Sequence, residues 1–152
     1  MPGGWIADKI FGAQRTVLYG AIIITIGHYV LAIPYDKTFF LGLVLVSIGT
    51  GLLKPNISTI VGQLYKPGDV RIDSGYTIFY MSINIGSMLG FLVCGYLGEK
   101  VGWHWGFGAA GVGMTFGVLQ YLFSKNSLGE AGKNPNLAPT EDKSKYMNIF
   151  KY

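Results

Sequence analysis

The sequence predicts an all-α integral membrane fold, a bundle of four transmembrane helices. Three observations predict it. Only 13% of the 152 residues are Asp, Glu, Lys or Arg, about half the share found in an ordinary soluble domain. Four stretches of 18 to 27 residues carry at most one charge each, and about 20 apolar residues in helical form cross a bilayer core. Gly occupies 23 positions, an excess that suits helices packed backbone to backbone.

Other classes fall away. Aromatic residues make up 14% of the chain, whereas disordered chains are polar and poor in aromatics. The glycines lack the three-residue period of collagen. The single Cys94 excludes an internal disulfide and a Cys-rich metal site, and it reads as a small buried apolar residue. The net charge of +4 is spread singly between apolar runs, which is a membrane pattern and not a nucleic-acid patch. The first residues show neither a basic n-region nor an apolar h-region, so no signal peptide is expected.

The elements follow in order. Residues 1–15 form a loop. The first span, 16–33, has 18 uncharged residues and only just reaches spanning length. A five-residue link leads to the second span, 39–65, whose 27 residues carry one charge, Lys54. The third span, 75–98, and the fourth, 101–123, carry no charge in 24 and 23 residues. Such runs are too long for strands and do not alternate, which argues against a barrel. Short links force antiparallel neighbours. Residues 124–152 turn polar and read as a cytoplasmic linker or tail: 129–136 as a linker, 140–152 as loosely held.

Basic residues orient the bundle. Nine of the 12 Lys and Arg fall at the start, in the middle loop and in the tail, which share one side; Lys37 and Lys100 mark the other. The excess side is predicted to be cytoplasmic, with both termini there.

Lys54 stands out. It lies 15 residues from Phe39 and 12 from Lys66, ~22 Å and ~18 Å along a helix. An ammonium at mid-membrane costs about 3 kcal/mol, so it calls for a wet cavity or a counter-ion; reaching the interface by snorkelling is the competing reading. Ser47, Thr50, Lys54 and Ser58 recur at helical spacing and form one polar stripe. Pro55 removes a backbone donor and crowds the carbonyl of Gly51. With Gly49 and Gly51 it predicts a bend, either a hinge or a static kink. In the third span, Tyr76, Tyr80 and Asn84 make an aromatic and amide face, read as cavity lining, with interhelical hydrogen bonding as the other reading of Asn84. Ser82, Gly86 and Gly90 form a small-residue row read as a packing face, and Gly102, Gly106, Ala110, Gly113 and Gly117 repeat the device in the fourth span. No acidic residue lies within the four spans, so the partner of Lys54 is a substrate anion or a carboxylate on a helix outside these residues. The chain is therefore expected to be incomplete.

Some patterns carry little. Residues 49–55 resemble a phosphate-binding loop but lack its G-x-x-x-x-G-K-[ST] pattern, and the Asn56-Ile57-Ser58 sequon lies inside a span. His28 reads as a hydrogen-bonded helix contact. No Ser/His/Asp set and no metal-ligand cluster is present, so an enzyme reading, a metal site or a cofactor has no residues to rest on.

Several motifs together carry a family resemblance. Residues 4–16, G-W-I-A-D-K-I-F-G-A-Q-R-T, resemble the G-x-x-x-D-x-x-x-G…R loop of the major facilitator superfamily, in the form used by proton-dependent oligopeptide transporters (POT/PTR). Residues 79–87, F-Y-M-S-I-N-I-G-S, are similar to that family's F-Y-x-x-I-N-x-G signature, and residues 49–56 and 102–108 match its habits. The resemblance runs from about Gly3 to Leu128.

It implies the third to sixth helices of a longer transporter, within its N-terminal bundle, multi-pass in the plasma membrane. It implies Lys54 as the lysine that binds a peptide carboxylate and takes part in proton coupling, and Asn84 as a contact to the peptide backbone. Tyr80 would line the same pocket, beside the bend at Pro55 that the residues themselves offer as a hinge. Gly4, Asp8, Gly12 and Arg15 would form the gating loop. The implied partners are di/tripeptides, protons, the lipid bilayer and the missing helices, among them the one carrying an E-x-x-E-R motif. Two other readings stay open: a carrier of nitrate or another small anion or drug in the same family, and a self-contained four-helix membrane scaffold.

Overall fold

The computed structural model of the chain describes residues 7, 12–66, 68–129 and 131–133. All regular structure among them is helical. Helix α1 spans Ala13–Leu31, α2 Asp36–Gln63, α3 Ile72–Lys100 and α4 Trp103–Ser124, followed by a 3-10 turn at Lys125–Leu128.

The ends follow from local chemistry. Pro34 stops α1, and Thr38 Oγ1 donates to Tyr35 O at 2.7 Å across the start of α2. Asp36 and Asp73 stand in the first turns of α2 and α3, and Lys100 in the last turn of α3, each matched to the helix dipole. Each helix is within a few residues of its predicted span. Three of them, α2, α3 and α4, are long and apolar enough to cross a membrane. The exception is α1, whose 19 residues begin with Ala13-Gln14-Arg15 and stop at Leu31, short of the predicted Ile33. Its uncharged helical part is 16 residues, Thr16 to Leu31.

Contacts order the helices as α2, α1, α4, α3 across the bundle. The most extensive packing is α1 on α2, then α1 on α4, then α3 on α4; α2 and α3 touch little. The α1–α2 seam is built on glycine. A Cβ on Gly20 would lie 2.8 Å from Gly49 O and 2.9 Å from Leu53 N, and one on Gly27 would lie 2.8 Å from Val46 Cγ2. Gly42 and Gly49 meet Leu31 and Ile24 as closely. Each helix repeats its glycine after seven residues, two turns, so both notches fall on one face. These approaches also fix the antiparallel direction: residue 20 faces 49–53, and residue 27 faces 42–46.

The expected packing rows change. Gly49 serves the α1 seam, while Gly51 meets nothing within 4 Å, and α2 runs as one helix through Pro55. In α4, Gly106 fits against α3, its Cβ position 2.6 Å from Cys94 O. Gly102 instead forms the turn before α4, and Gly113 and Gly117 meet nothing within 4 Å. Gly111, not singled out from sequence, packs on Tyr29. The row Gly86, Gly90 is bare among the described residues: Gly98 is the one buried residue of α3. Small residues permit close approach but do not supply a partner.

Candidate functional site

Lys54 sits on the exposed side of α2, away from the α1 seam. The seam runs through Val46, Gly49 and Leu53. Ser47, Thr50 and Lys54 each follow one of these by one residue, a rotation of about 100° around the axis, and all three are exposed. The polar stripe read from the sequence is therefore a real face of α2, pointing where α1 does not cover it. Below Lys54 the stripe is pinned to the helix backbone: Ser58 Oγ donates to Pro55 O at 3.1 Å and Thr59 Oγ1 donates to the same carbonyl at 3.0 Å. Buried Asn56 donates from Nδ2 to Leu52 O at 2.6 Å. These back-bonds surround the position where Pro55 has no N–H to give.

One hydrogen bond ties the start of α3 to α2. Tyr76 Oη donates to Ser58 O at 3.2 Å. The two helices run antiparallel, so a step of four residues back from Ser58 and four forward from Tyr76 moves the same way. Lys54 lies one turn from that bond along α2 and Tyr80 one turn from it along α3, with Thr50 and Asn84 a further turn on along each helix. Tyr80 stacks on Tyr76 with ring centroids 6.3 Å apart and meets the Phe79 ring edge-on at 5.5 Å. Tyr80 is 56% exposed, and Asn84 is exposed as well. Lys54, Tyr80 and Asn84 share openness; no hydrogen bond joins them among the described residues. Neither does Lys54 form an ion pair there; the ion pair within that set is Arg71 with Asp69, 2.8 Å in the loop before α3.

The structure treats the other predicted residues unequally. Gly4 and Asp8 lie outside the described residues. Gly12 precedes α1 with φ +79°, a left-handed conformation suited to glycine, and its carbonyl accepts from Thr16 Oγ1 at 2.9 Å. Arg15 is exposed in the first turn of α1. His28 is a helix contact as read: its Nδ1 lies 2.9 Å from Ile24 O. It also lines a cavity of about 620 Å³ with Gly90, Phe91, Cys94, Glu99 and Trp103 between α1, α3 and α4, on which Lys54, Tyr80 and Asn84 do not border. No metal-holding cluster of His, Cys, Asp and Glu occurs among the described residues.

In the loop between α2 and α3, Asp69 accepts from the Arg71 guanidinium and from the Arg71 backbone N–H at 3.0 Å. These bonds hold its carboxyl down at about 2 from the usual 3.8. Sequence reasoning missed the Tyr76–Ser58 tie and the α1 glycines. The seven-residue spacing of Gly20 with Gly27, and of Gly42 with Gly49, was the signal that could have found the latter.

Comparisons with known proteins identify relatives of the whole chain. The family model PTR2, the POT family, matches residues 14–150. The chain is 52% identical to an uncharacterized transporter, YclF, of Bacillus subtilis (strain 168), over 88% of the chain and 28% of the relative. It is 43% identical to a di-/tripeptide transporter of Lactococcus lactis subsp. cremoris, over 94% of the chain and 29% of the relative. A crystal structure of a mutant peptide transporter POT in complex with alafosfalin superposes at TM-score 0.84 with 48% identity, over 97% of this chain and 31% of that one. The chain thus spans less than a third of the length of each of these three proteins.

Proposed function

From the premise that the chain belongs to the POT family, a family of transporters, we propose that it works within a proton-coupled symporter of di/tripeptides. The chain is a multi-pass membrane protein, and the proposed setting is the plasma membrane, with the Lys66 and Arg71 end in the cytosol. The relative named a di-/tripeptide transporter supports the substrate class.

The observation that carries the reading is that Lys54 of α2 and Tyr80 and Asn84 of α3, on the two helices tied by the Tyr76–Ser58 bond, all stand exposed on faces that α1 and α4 leave open. A mid-membrane ammonium is stabilised by an anion in a medium of low dielectric. A peptide offers a C-terminal carboxylate to Lys54, and its amide groups match the donor and acceptor of the Asn84 side chain. Tyr80 gives an aromatic wall with a hydroxyl. Proton movement enters because Lys54 must exchange a bound carboxylate for another partner between cycles. That partner and the remaining substrate contacts belong to helices beyond these residues, since alternating access needs two bundles about a midplane site. Pro55, next to Lys54, is proposed as the hinge. The loop of Gly4, Asp8, Gly12 and Arg15 is proposed to gate the cytosolic face.

The test is uptake into proteoliposomes by the transporter that carries this chain. Lys54→Ala is expected to abolish proton-driven accumulation of a labelled dipeptide. Normal accumulation by that variant overturns the assignment. Inhibition of the wild-type signal by nitrate and not by dipeptides moves the substrate to small anions.

A further inference from the structure

The segment after α4 is not the free linker that its Gly-Glu-Ala-Gly sequence suggests. Ala131 and Gly132 are buried. They are held at the end of the bundle where α1 begins, α2 ends and α4 ends. Gln14 is the centre of the arrangement. Its Nε2 donates to Ala131 O at 2.6 Å. Its backbone N–H, one of the unpaired donors that open every helix, donates to Gly132 O at 2.9 Å. Its own carbonyl accepts from Tyr121 Oη of α4 at 3.0 Å. On the other side, Gly132 N–H donates to Gln63 Oε1 in the last residue of α2 at 2.6 Å.

Packing closes the same joint. Ala13, Val17, Ile60 and Ala131 form a buried apolar cluster with Leu128 and Tyr121 against it. Gly132 has φ +78°, and a Cβ there would lie 2.8 Å from Ile60 Cγ1 and 3.0 Å from Gln14 Cγ. Only glycine fits, by conformation and by space. Gly12 caps α1 without a side-chain bond, so the cap of this helix comes from a residue 118 positions away.

We propose that Gly129, Ala131 and Gly132 form a clasp that holds these ends of α1, α2 and α4 as one body, with Gln14 as its key. Bending at Pro55, eight residues above Gln63, then carries the three ends together; an opened clasp frees the end of α2 from α1. The clasp is independent of the cargo, so its failure and that of the transport reading are separate results.

Hydrogen exchange by mass spectrometry on the full chain in lipid nanodiscs tests it. In the wild type, the amides of Gln14 and Gly132 are expected to exchange slowly. Gln14→Met keeps the length of the side chain and removes the donor; Gln63→Met removes the acceptor of Gly132. Each is expected to speed exchange at Gln14 and Gly132 about tenfold, the scale of one buried hydrogen bond, with amides from Gly20 to Gly27 unchanged. Three results overturn the proposal. These are free-loop exchange at Gly132 in the wild type, no change in either variant, or equal acceleration along the α1–α2 seam, which would make Gln14 a general support of the fold.

Discussion

Helices α1 and α3 use the same residue type to opposite ends. Both are apolar and both space glycines along one side. In α1, Gly20 and Gly27 are buried against α2. In α3, Gly86 and Gly90 meet nothing within 4 Å. The difference lies in the opposing surface. Gly49 and Gly42 of α2 present notches of their own, so two backbones meet and exclude side chains between them. No described helix offers α3 such a surface beyond its contact with Gly106. Glycine spacing therefore marks a helix that can be approached closely, and the partner decides whether it is.

The largest test of that contrast is Gly20→Val. The added carbons meet backbone atoms of Gly49 and Leu53 that cannot rotate away, so the helices must separate, at about 3 kcal/mol or more. Loss of the monodisperse peak in detergent size-exclusion chromatography after mild heating reads this out. Gly86→Val is expected to stay within about 0.5 kcal/mol in the same assay, since it meets open space and gains slightly in helix propensity. Equal damage from both would end the contrast. Gly86→Leu in a transporter with further helices sharpens it: loss of folded protein there, but not in this chain, shows a neighbour on the row.

A middle-sized effect is expected at the α2–α3 tie. Tyr76→Phe removes the bond to Ser58 O and costs about 1 kcal/mol. Spin-label distances should broaden between α2 and α3 and stay sharp between α1 and α2. The smallest effect is at Asp69. Its lowered pKa means that its contribution is present above the usual 3.8 and is lost as pH falls through about 2. Arg71→Ala should return the carboxyl toward 3.8, as read by carbon NMR titration, with hardly any change in melting because the pair is at the surface.

The four helices were legible because uncharged runs of spanning length have few other uses. Lys54 was legible for the same reason inverted: one charge amid 27 residues calls for an explanation. The tie between its helix and that of Tyr80 was not, because it depends on a single tertiary bond from Tyr76 to Ser58. The glycine row that drew notice, Gly86 with Gly90, proved bare, while Gly20 and Gly27 escaped it because two-turn spacing is easily taken for background. Gln14 looked like part of a loop signature, and its contacts to Ala131 and Gly132 span most of the chain, beyond the reach of any periodicity.

That long-range joint has a consequence in time. The α1–α2 hairpin joins residues close in sequence and can assemble as soon as both helices have entered the bilayer. The bonds from Gln14 to Ala131 and Gly132 must wait until α3 and α4 have followed and the chain has emerged past residue 132. Contacts of such separation come late. During synthesis the first turn of α1 therefore stays uncapped until the fourth helix is in place, and closure of the clasp signals that all four have been inserted in the right order.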